Sequence, residues 1–214
     1  MGIPVAALCL FFLFIAPPAE TPSVQIGSQV WMARNLDTDH FANGVAIEEV
    51  RNDTAWKLCG EQKRACWCYY MNSEDSGKKY GKLYNWYAVH DTNGLASAGW
   101  HVPTKAEWET LFNACGGESE AGDMLKAGDG WAAGGNGSKP NGFNLLPGSI
   151  RVMDWRTFGG GRTFSVVPCQ YGGVWSATDT GLKAWGYTFC YLNTIARGNS
   201  YLEGVGFSVR CVKN

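Results

Sequence analysis

The stretch that decides the fold runs from Gly173 to Val212 and reads GVWSATDTGLKAWGYTFCYLNTIARGNSYLEGVGFSVRCV. Its two ends, Gly172–Ser176 and Gly206–Val212, are short apolar runs beside glycines, which is typical of buried strands. The segment between them is rich in Tyr, Asn, Thr, Trp and Arg, side chains that are suited to contacting a ligand. The pattern predicts two fixed strands that frame a recognition surface.

Aromatic residues alternate with other residues in the middle of this segment. Alternate side chains lie on the same face of a β-strand, so the pattern predicts a strand with one aromatic face. We expect the first three aromatics to pack into the core beside Trp175 and Phe207, and a face open to ligand is the alternative. The alternating residues are Trp185, Tyr187, Phe189 and Tyr191.

Polar residues on either side of this strand are the stronger binding candidates. The loop Asn193–Thr194 and the turn Arg197–Tyr201 follow it, and Thr178 and Asp179 come just after the first framing strand. Arg and Tyr are enriched at binding hot spots, and Asn supplies adaptable hydrogen bonds. For the loop and the turn, a solvated turn is the alternative. The predicted ligand-binding residues are Thr178, Asp179, Tyr187, Tyr191, Asn193, Arg197, Asn199 and Tyr201.

Composition favours a single folded domain without a nucleic-acid partner. The chain has 214 residues, of which 45% are hydrophobic and 17% charged, so it can bury a sizeable core. A net charge of −1 and the lack of a basic run argue against nucleic-acid binding. Ten Trp, nine Tyr, ten Phe and 28 Gly favour short strands joined by tight turns. We find no internal repeat and expect one domain over residues 23–214.

Residues 1–19 have the pattern of a secretory signal peptide. Val5–Ala16 is an unbroken apolar run, too short to span a bilayer as a helix, and Pro17–Ala19 breaks it. We therefore expect an exported protein that is secreted or held at a cell surface.

Eight cysteines suit an oxidising compartment. Without Cys9 seven remain, so one is free or pairs between chains. Cys59, Cys66 and Cys68 are close enough in sequence for a local disulfide. A zinc site needs a second pair of cysteines or added histidines, which the Cys66-Trp67-Cys68 motif lacks. We predict no metal ion and no cofactor.

Two helices and a weaker third are expected. Apolar residues recur at helical spacing over Tyr80–Ala88. Thr104 and Glu107 form a capping box, and apolar residues at i, i+3, i+4 and i+7 continue that helix to Cys115. The third helix is expected within Glu118–Lys126.

Short strands are expected at the start of the chain and throughout its second half. Val24, Ile26 and Val30 surround a turn at Gly27–Ser28, which predicts a hairpin, and Trp67–Met71 is strand-like. These elements predict an α+β fold of two or three helices packed on short, mostly antiparallel strands with long loops. The later strands expected are Phe143–Leu146, Ser149–Met153, Phe164–Val167, Val174–Ala177, Trp185–Tyr191 and Phe207–Val212.

Five sequence blocks, in order along nearly the whole chain, resemble the Fibrobacter succinogenes major paralogous domain. The first reads VQIGSQVWMARNL, the second YGKLYNW, the third GWHVPT, and the last GFSVRCV. The blocks are Val24–Leu36, Tyr80–Trp86, Gly99–Thr104 with Glu107-Trp108, Asn141–Phe143 with Leu146–Gly148, and Trp175-Ser176 with Gly206–Val212.

The resemblance implies a C-type-lectin-like fold, close to the branch of the formylglycine-generating enzymes. Members of the family are exported by bacteria and are often attached to the cell surface. Some proteins of the broader fold are diversified by retroelements, which mutate a C-terminal segment between fixed strands. Thr178–Leu202 occupies the corresponding place, so a hypervariable binding segment is one hypothesis.

One position departs from the family pattern. The resemblance implies a cysteine four residues before Trp100, paired with the cysteine of the last block, but Ala96 stands there. The partner of Cys211 is therefore open between Cys190, Cys169 and none.

The chemistry of the fold's better-known relatives is not matched by these residues. Calcium-dependent sugar binding needs a Glu-Pro-Asn or Gln-Pro-Asp loop and a Trp-Asn-Asp strand, whereas this chain has Lys139–Asn141 and no such strand. Formylglycine-generating enzymes use paired cysteines, and Cys190 and Cys211 stand in no matching motif. His101 lies in a family block and is expected to be buried. We predict no catalytic residue.

The sequence thus favours a non-enzymatic, exported module that recognises a protein or a glycan. The alternative is a structural subunit of a surface fibre or matrix, since the odd cysteine, the aromatics and the low charge suit self-association. A copper- or thiol-dependent oxidase is the third hypothesis.

Overall fold

The computed structural model describes residues 21–152 and 170–214. Five helices and ten short strands in three sheets make this part of the chain an α+β fold, as the sequence predicted. The predicted signal peptide, the predicted strand Phe164–Val167, Cys9 and Cys169 lie outside the described residues. The C-type-lectin-like fold stays a prediction.

The helices are short, and side chains cap three of them. The Asn52 side chain accepts a hydrogen bond from the Ala55 amide (2.8 Å), and the Asn85 side chain accepts one from the Ala88 amide (3.1 Å). Both bonds satisfy amides that have no partner within the first helical turn. The helices are α1 (Asp53–Glu61), α2 (Glu74–Tyr80), α3 (Trp86–Val89), α4 (Lys105–Ala114) and α5 (Ala121–Leu125).

The strands form one four-stranded and two three-stranded sheets. They are β1 (Ser23–Ile26), β2 (Gln29–Met32), β3 (Glu48–Glu49), β4 (Cys66–Tyr69), β5 (Lys82–Tyr84), β6 (Trp100–His101), β7 (Tyr171–Asp179), β8 (Ala184–Cys190), β9 (Arg197–Tyr201) and β10 (Val212–Lys213). The sheet orders are β1-β2-β10-β6, β3-β4-β5 and β7-β8-β9, and only the β3–β4 pairing among these strands is parallel. The predicted N-terminal hairpin is confirmed, and Gly27 provides its turn with a φ of 58°.

The longest described helix, α4, lies where the capping box predicted it. Thr104 Oγ1 accepts a hydrogen bond from the Glu107 amide (3.3 Å), and the Glu107 carboxylate accepts one from the Thr104 amide (2.8 Å). Trp108, Leu111 and Phe112 are buried on the face that was expected to be apolar. Local sequence therefore determines both the start of α4 and its orientation.

We expect Thr104→Ala to lower the free energy of unfolding by about 1 kcal/mol, because the Glu107 amide loses its side-chain partner and the Glu107 carboxylate loses the Thr104 hydroxyl donor. Urea denaturation followed by circular dichroism measures this. Thr110→Ala is the matched control: Thr110 is exposed in the same helix, and its hydroxyl donates to the Ala106 carbonyl. We expect the control to change stability by less than about 0.5 kcal/mol. Equal losses in the two variants would contradict the capping role.

The predicted helix over Tyr80–Ala88 is wrong. Helix α2 ends at Tyr80, and Gly81, with a φ of 74°, takes a left-handed conformation that stops it. Strand β5 follows, and α3 then begins after the cap at Asn85. Strand β5 and helix α3 both bury apolar side chains, and together these side chains have the spacing expected of one longer helix.

Other predictions hold in part. The third helix is confirmed as α5, shorter than expected, and the strand around Trp67 is confirmed as β4. Phe143–Leu146 is not a strand and makes one isolated bridge, at Leu145. In the described part of Ser149–Met153, bridges occur at Ser149 and Arg151. The sequence did not predict α1 or β9.

Tryptophans hold the core together. Trp31, Trp56, Trp108 and Trp175 are at most 1% exposed. The indole Nε1 of Trp175 donates to the Tyr84 carbonyl (2.8 Å), and that of Trp108 donates to the Trp175 carbonyl (3.2 Å). The strand β7 is thereby joined to β5 on one side and to α4 on the other, so it is a fixed part of the frame.

None of the cysteines in the described residues forms a disulfide. Cys59, Cys66, Cys68, Cys115, Cys190 and Cys211 are free thiols. The local disulfide predicted among Cys59, Cys66 and Cys68 is therefore not formed, and Cys211 is not joined to Cys190. Burial raises the pKa of Cys68 to about 11 and that of Cys211 to about 12. Both stay protonated near neutral pH, which makes them poor nucleophiles.

Candidate functional site

The sheet β7-β8-β9 carries the predicted binding segment and has two different faces. One face of β8 packs on α4: the Tyr187 ring lies 4.8 Å from Phe112 and 5.8 Å from Trp108, between ring centroids. Tyr187 and Phe189 are at most 1% exposed. The expectation that the alternating aromatics support the core is confirmed for these two. Tyr187 as a ligand-binding residue is wrong, because its side chain is inaccessible.

The opposite side of the sheet brings three predicted residues together. In an antiparallel pair, directly opposed residues project to the same side. Strand β9 pairs Arg197 with Thr188, Asn199 with Gly186, and Tyr201 with Ala184, all of which alternate with Tyr187. We call this side, with Thr188, Cys190, Arg197, Asn199 and Tyr201, the β8–β9 face.

The sequence of β9 follows from its position. Its residues were predicted to form a turn, but they form a strand at the edge of the described sheet. A Cβ atom on Gly198 would lie 2.8 Å from the Trp185 ring and 2.9 Å from the Tyr187 ring. Glycine therefore allows the aromatic side of the sheet to pack closely, while Arg197 and Asn199 on the other side stay exposed.

An open depression of about 330 Å³ lies at one end of the β8–β9 face. Thr188 and Cys190 border it, and the Thr188 hydroxyl is 3.3 Å from the hydroxyl of Tyr201. Two of the predicted residues, Asn193 and Arg197, therefore line one concave surface. The residues that line the depression are Tyr171, Thr188, Cys190, Asn193, Ile195 and Arg197.

The loop Asn193–Thr194 beside this depression is held in place by hydrogen bonds to residues of and next to α5. The Thr194 carbonyl accepts a hydrogen bond from the Gly122 amide (2.7 Å), and the Thr194 hydroxyl donates to the Ser119 carbonyl (2.6 Å). The Lys126 ammonium group donates to the Asn193 carbonyl (3.0 Å). Residues of and next to α5 thus fix the position of the Asn193 side chain, whose Oδ1 accepts from the Ile195 amide.

Thr178 and Asp179 do not join this site. They lie at the far end of β7 from Tyr171, and eight residue steps along a strand span about 26 Å. Thr178 Oγ1 accepts a hydrogen bond from the Lys105 amide (2.8 Å), and Asp179 Oδ1 accepts one from the Gly181 amide (2.7 Å). Their side chains stabilise the start of α4 and the β7–β8 turn, away from the depression, and Asp179 lies in one row with Ala184 and Tyr201 across the sheet. Their part in ligand binding stays a prediction.

Tyr191 and Tyr201 are only partly accessible. Tyr191 packs against the cluster that contains Phe189, and Tyr201 lies with its ring 4.8 Å from that of Phe207. Burial raises the pKa of Tyr201. On the other side of the depression, the neighbouring Cys190 thiol raises the pKa of Tyr171. The phenol groups of Tyr201 and Tyr171 are therefore neutral near pH 7 and can donate or accept hydrogen bonds.

Sequence reasoning missed the apolar part of the site. Leu192 is 69% exposed and Ile195 is 38% exposed, on either side of Asn193. Five of the eight large hydrophobic side chains exposed in the described residues fall within residues 171–202. The sequence signal that could have predicted this apolar surface was the presence of Leu192 and Ile195 among the polar residues of the loop. The five are Tyr171, Leu182, Leu192, Ile195 and Leu202.

The amino-acid sequence matches a known protein family. The model of the Fibrobacter succinogenes major domain matches residues 24–213. The chain belongs to this family. No curated protein and no solved structure matches the chain significantly.

The structure brings together blocks of the Fibrobacter succinogenes major domain that are far apart in this sequence. Val212 in the last block pairs with Trp31 in the first and with His101 in the third. His101 was expected to be buried, but it is half-exposed, and its ring nitrogens lie 2.7 Å from Glu107 Oε1 and 2.6 Å from Asn214 Oδ1. The blocks therefore build the frame, and the β8–β9 face lies between two of them in sequence.

The described residues contain neither a metal-binding cluster nor a membrane-spanning helix. Over residues 21–152 and 170–214, no group of three or more His, Cys, Asp or Glu side chains is placed to hold a metal ion. Helices in these residues are all too short and too polar to cross a membrane. What the β8–β9 face offers is a guanidinium group, amides, phenols and exposed apolar side chains, which together suit binding.

Proposed function

We propose that this chain is an exported, non-enzymatic recognition or adhesion module that binds a protein or a glycan through the β8–β9 face. The observation that carries the proposal is the depression of the β8–β9 face, where exposed Tyr171 and Ile195 lie beside exposed Arg197 and Asn193. Apolar side chains concentrated beside Arg and Asn are typical of binding surfaces. The rigid frame supports this role, because a surface held in place loses little conformational entropy on binding.

The same arrangement supports diversification of the segment by a retroelement. Core residues such as Tyr187 lie on one side of β8, whereas Arg197 and Asn199 project from the other side of the sheet and make few contacts within it. Substitutions at such exposed positions usually change stability by less than about 0.5 kcal/mol. Arg197 and Asn199 could therefore vary widely without loss of the fold.

We expect Arg197→Ala/Asn199→Ala to weaken binding by about thirtyfold, as loss of a hot spot worth about 2 kcal/mol would do. The measurement is binding to a glycan array and to purified bacterial surface proteins, with affinities then determined by biolayer interferometry. Arg51→Ala/Asn113→Ala is the matched control, since both residues are exposed and lie outside this sheet.

Unchanged binding in the Arg197/Asn199 variant would reject the recognition proposal. Sedimentation velocity of the same variants separates it from the structural-subunit alternative. If the unmodified chain self-associates and the Arg197/Asn199 variant does not, while neither binds any array component, the β8–β9 face is an assembly surface instead.

A further inference from the structure

A second, larger cleft shares no residue with the β8–β9 face. It has a volume of about 530 Å³, within the range of about 300–1,000 Å³ that is usual for small-molecule sites. Its walls come from residues 33–37, from the end of α2 with Gly81, from residues 127–129, and from Asn144 and Leu146. Arg210, which is 1% exposed, also lines it.

Arg210 brings a buried positive charge to this cleft. Its guanidinium group makes four hydrogen bonds, all to uncharged oxygens: two to Asn35 Oδ1 and one each to the Met32 and Phe143 carbonyls. A guanidinium group has five N–H donors, so one on Nη2 has no partner among the described residues. No carboxylate of these residues contributes to its electrostatics, and burial lowers its pKa to about 9. Arg210 is still charged near neutral pH.

The rim of the cleft adds further positive charge. Arg34, Lys78 and Lys79 are exposed there. Lys78 is paired with the Asp75 carboxylate (2.9 Å), and the Asp37 carboxylate is paired with the Lys82 ammonium group (2.6 Å). Asp129 is the other acidic residue that lines the cleft. Arg34, Lys79 and Arg210 therefore outnumber Asp129, so an anion would be attracted to the cleft.

Uncharged groups line the rest of the cleft. Asn144 is exposed and has a positive φ of 55°, a conformation that asparagine tolerates better than most residues. Its amide and the Asp129 carboxylate can hydrogen-bond to hydroxyl groups. Leu146 is partly exposed and supplies apolar surface for the C–H side of a sugar ring. A ligand that carries one carboxylate on a polyhydroxylated ring would contact all of these groups.

We propose that the cleft binds a hexuronic acid, free or as a unit of an acidic polysaccharide, with its carboxylate directed to Arg210 and the cationic rim. The carboxylate would accept the remaining Nη2–H of Arg210 and would neutralise a buried charge that lacks a counter-ion. Charge-assisted hydrogen bonds of this kind are about twice as strong as neutral ones. Ring hydroxyls would face Asn144 and Asp129.

The test compares galacturonic acid with its methyl ester, which keeps the shape and removes the charge. We expect titration calorimetry on the full chain to show binding of the acid and about tenfold or more weaker binding of the ester. Arg34→Gln/Lys79→Gln should weaken binding of the acid by a similar factor, and it leaves the hydrogen-bonded Arg210 intact. Arg51→Gln/Lys57→Gln, with the same changes at an exposed and a partly exposed position outside the cleft, should bind as the unmodified chain does.

Equal affinities for acid and ester, or no loss in the Arg34/Lys79 variant, would overturn the proposal. So would binding of inorganic phosphate without binding of either galacturonate or polygalacturonate. Binding of polygalacturonate but not of its fully methyl-esterified form supports it and identifies the polymer as the source. The Arg197→Ala/Asn199→Ala variant should bind galacturonate normally, so failure of this proposal is distinct from failure of the β8–β9 face.

Discussion

Replacement of Trp175 by alanine is expected to lower the free energy of unfolding by about 4 kcal/mol. The side chain is fully buried, with its ring 4.6 Å from that of Phe207. Its removal leaves a large cavity and takes the indole donor away from the Tyr84 carbonyl, which is itself buried. For a domain at the lower end of the usual range of about 5–15 kcal/mol, this loss would leave a sizeable unfolded fraction.

Urea denaturation monitored by tryptophan fluorescence and circular dichroism measures the loss. Trp100→Ala is the matched control, because Trp100 is only half-buried and its neighbours can relax into solvent. We expect the control to lose less than half as much stability. If both variants were destabilised to the same extent, Trp175 would not be the centre of the frame.

Gly122→Ala is expected to destabilise the fold by about 2 kcal/mol, although alanine is normally the better helix residue. The added Cβ atom would lie 2.5 Å from the carbonyl oxygen and 2.8 Å from the carbonyl carbon of Thr194. Both are backbone atoms, so the loop at Asn193 must move, and the hydrogen bond between the Gly122 amide and the Thr194 carbonyl (2.7 Å) is strained or lost.

The displaced loop gives this variant a second readout. We expect the NMR amide signals of residues 193–195 to shift and any ligand of the depression at Arg197 to bind more weakly. Gly128→Ala is the matched control, since its added Cβ atom would be 3.6 Å from Pro140, an ordinary contact. If Gly122→Ala were as stable as this control, the close packing of α5 on the loop would be refuted.

Elements with strong local signals were predictable from the sequence. The capping box at Thr104 and the apolar spacing after it define α4, and the glycine turn at Gly27 defines the first hairpin. The alternation around Tyr187 predicted β8 and its core side. In each case, neighbouring residues along the chain determine the conformation, so no distant contact had to be known.

Features that depend on distant contacts were not predictable in this way. Arg197–Tyr201 is polar with a central glycine, which is typical of a turn, and it becomes a strand because β8 offers a paired edge. The Thr178 hydroxyl accepts a hydrogen bond from the Lys105 amide, which is distant along the chain, and no local pattern reveals this contact. The charge of Arg210 at the larger cleft is equally hidden, because its hydrogen-bond partners lie far away along the chain.

The pairing of Val212 with Trp31 has a consequence for the order in which the protein can assemble during synthesis. The β1–β2 hairpin is made first, and its neighbour β10 can join it only after Val212 has been added. The four-stranded sheet therefore cannot close before that point, and contacts so distant along the chain form slowly.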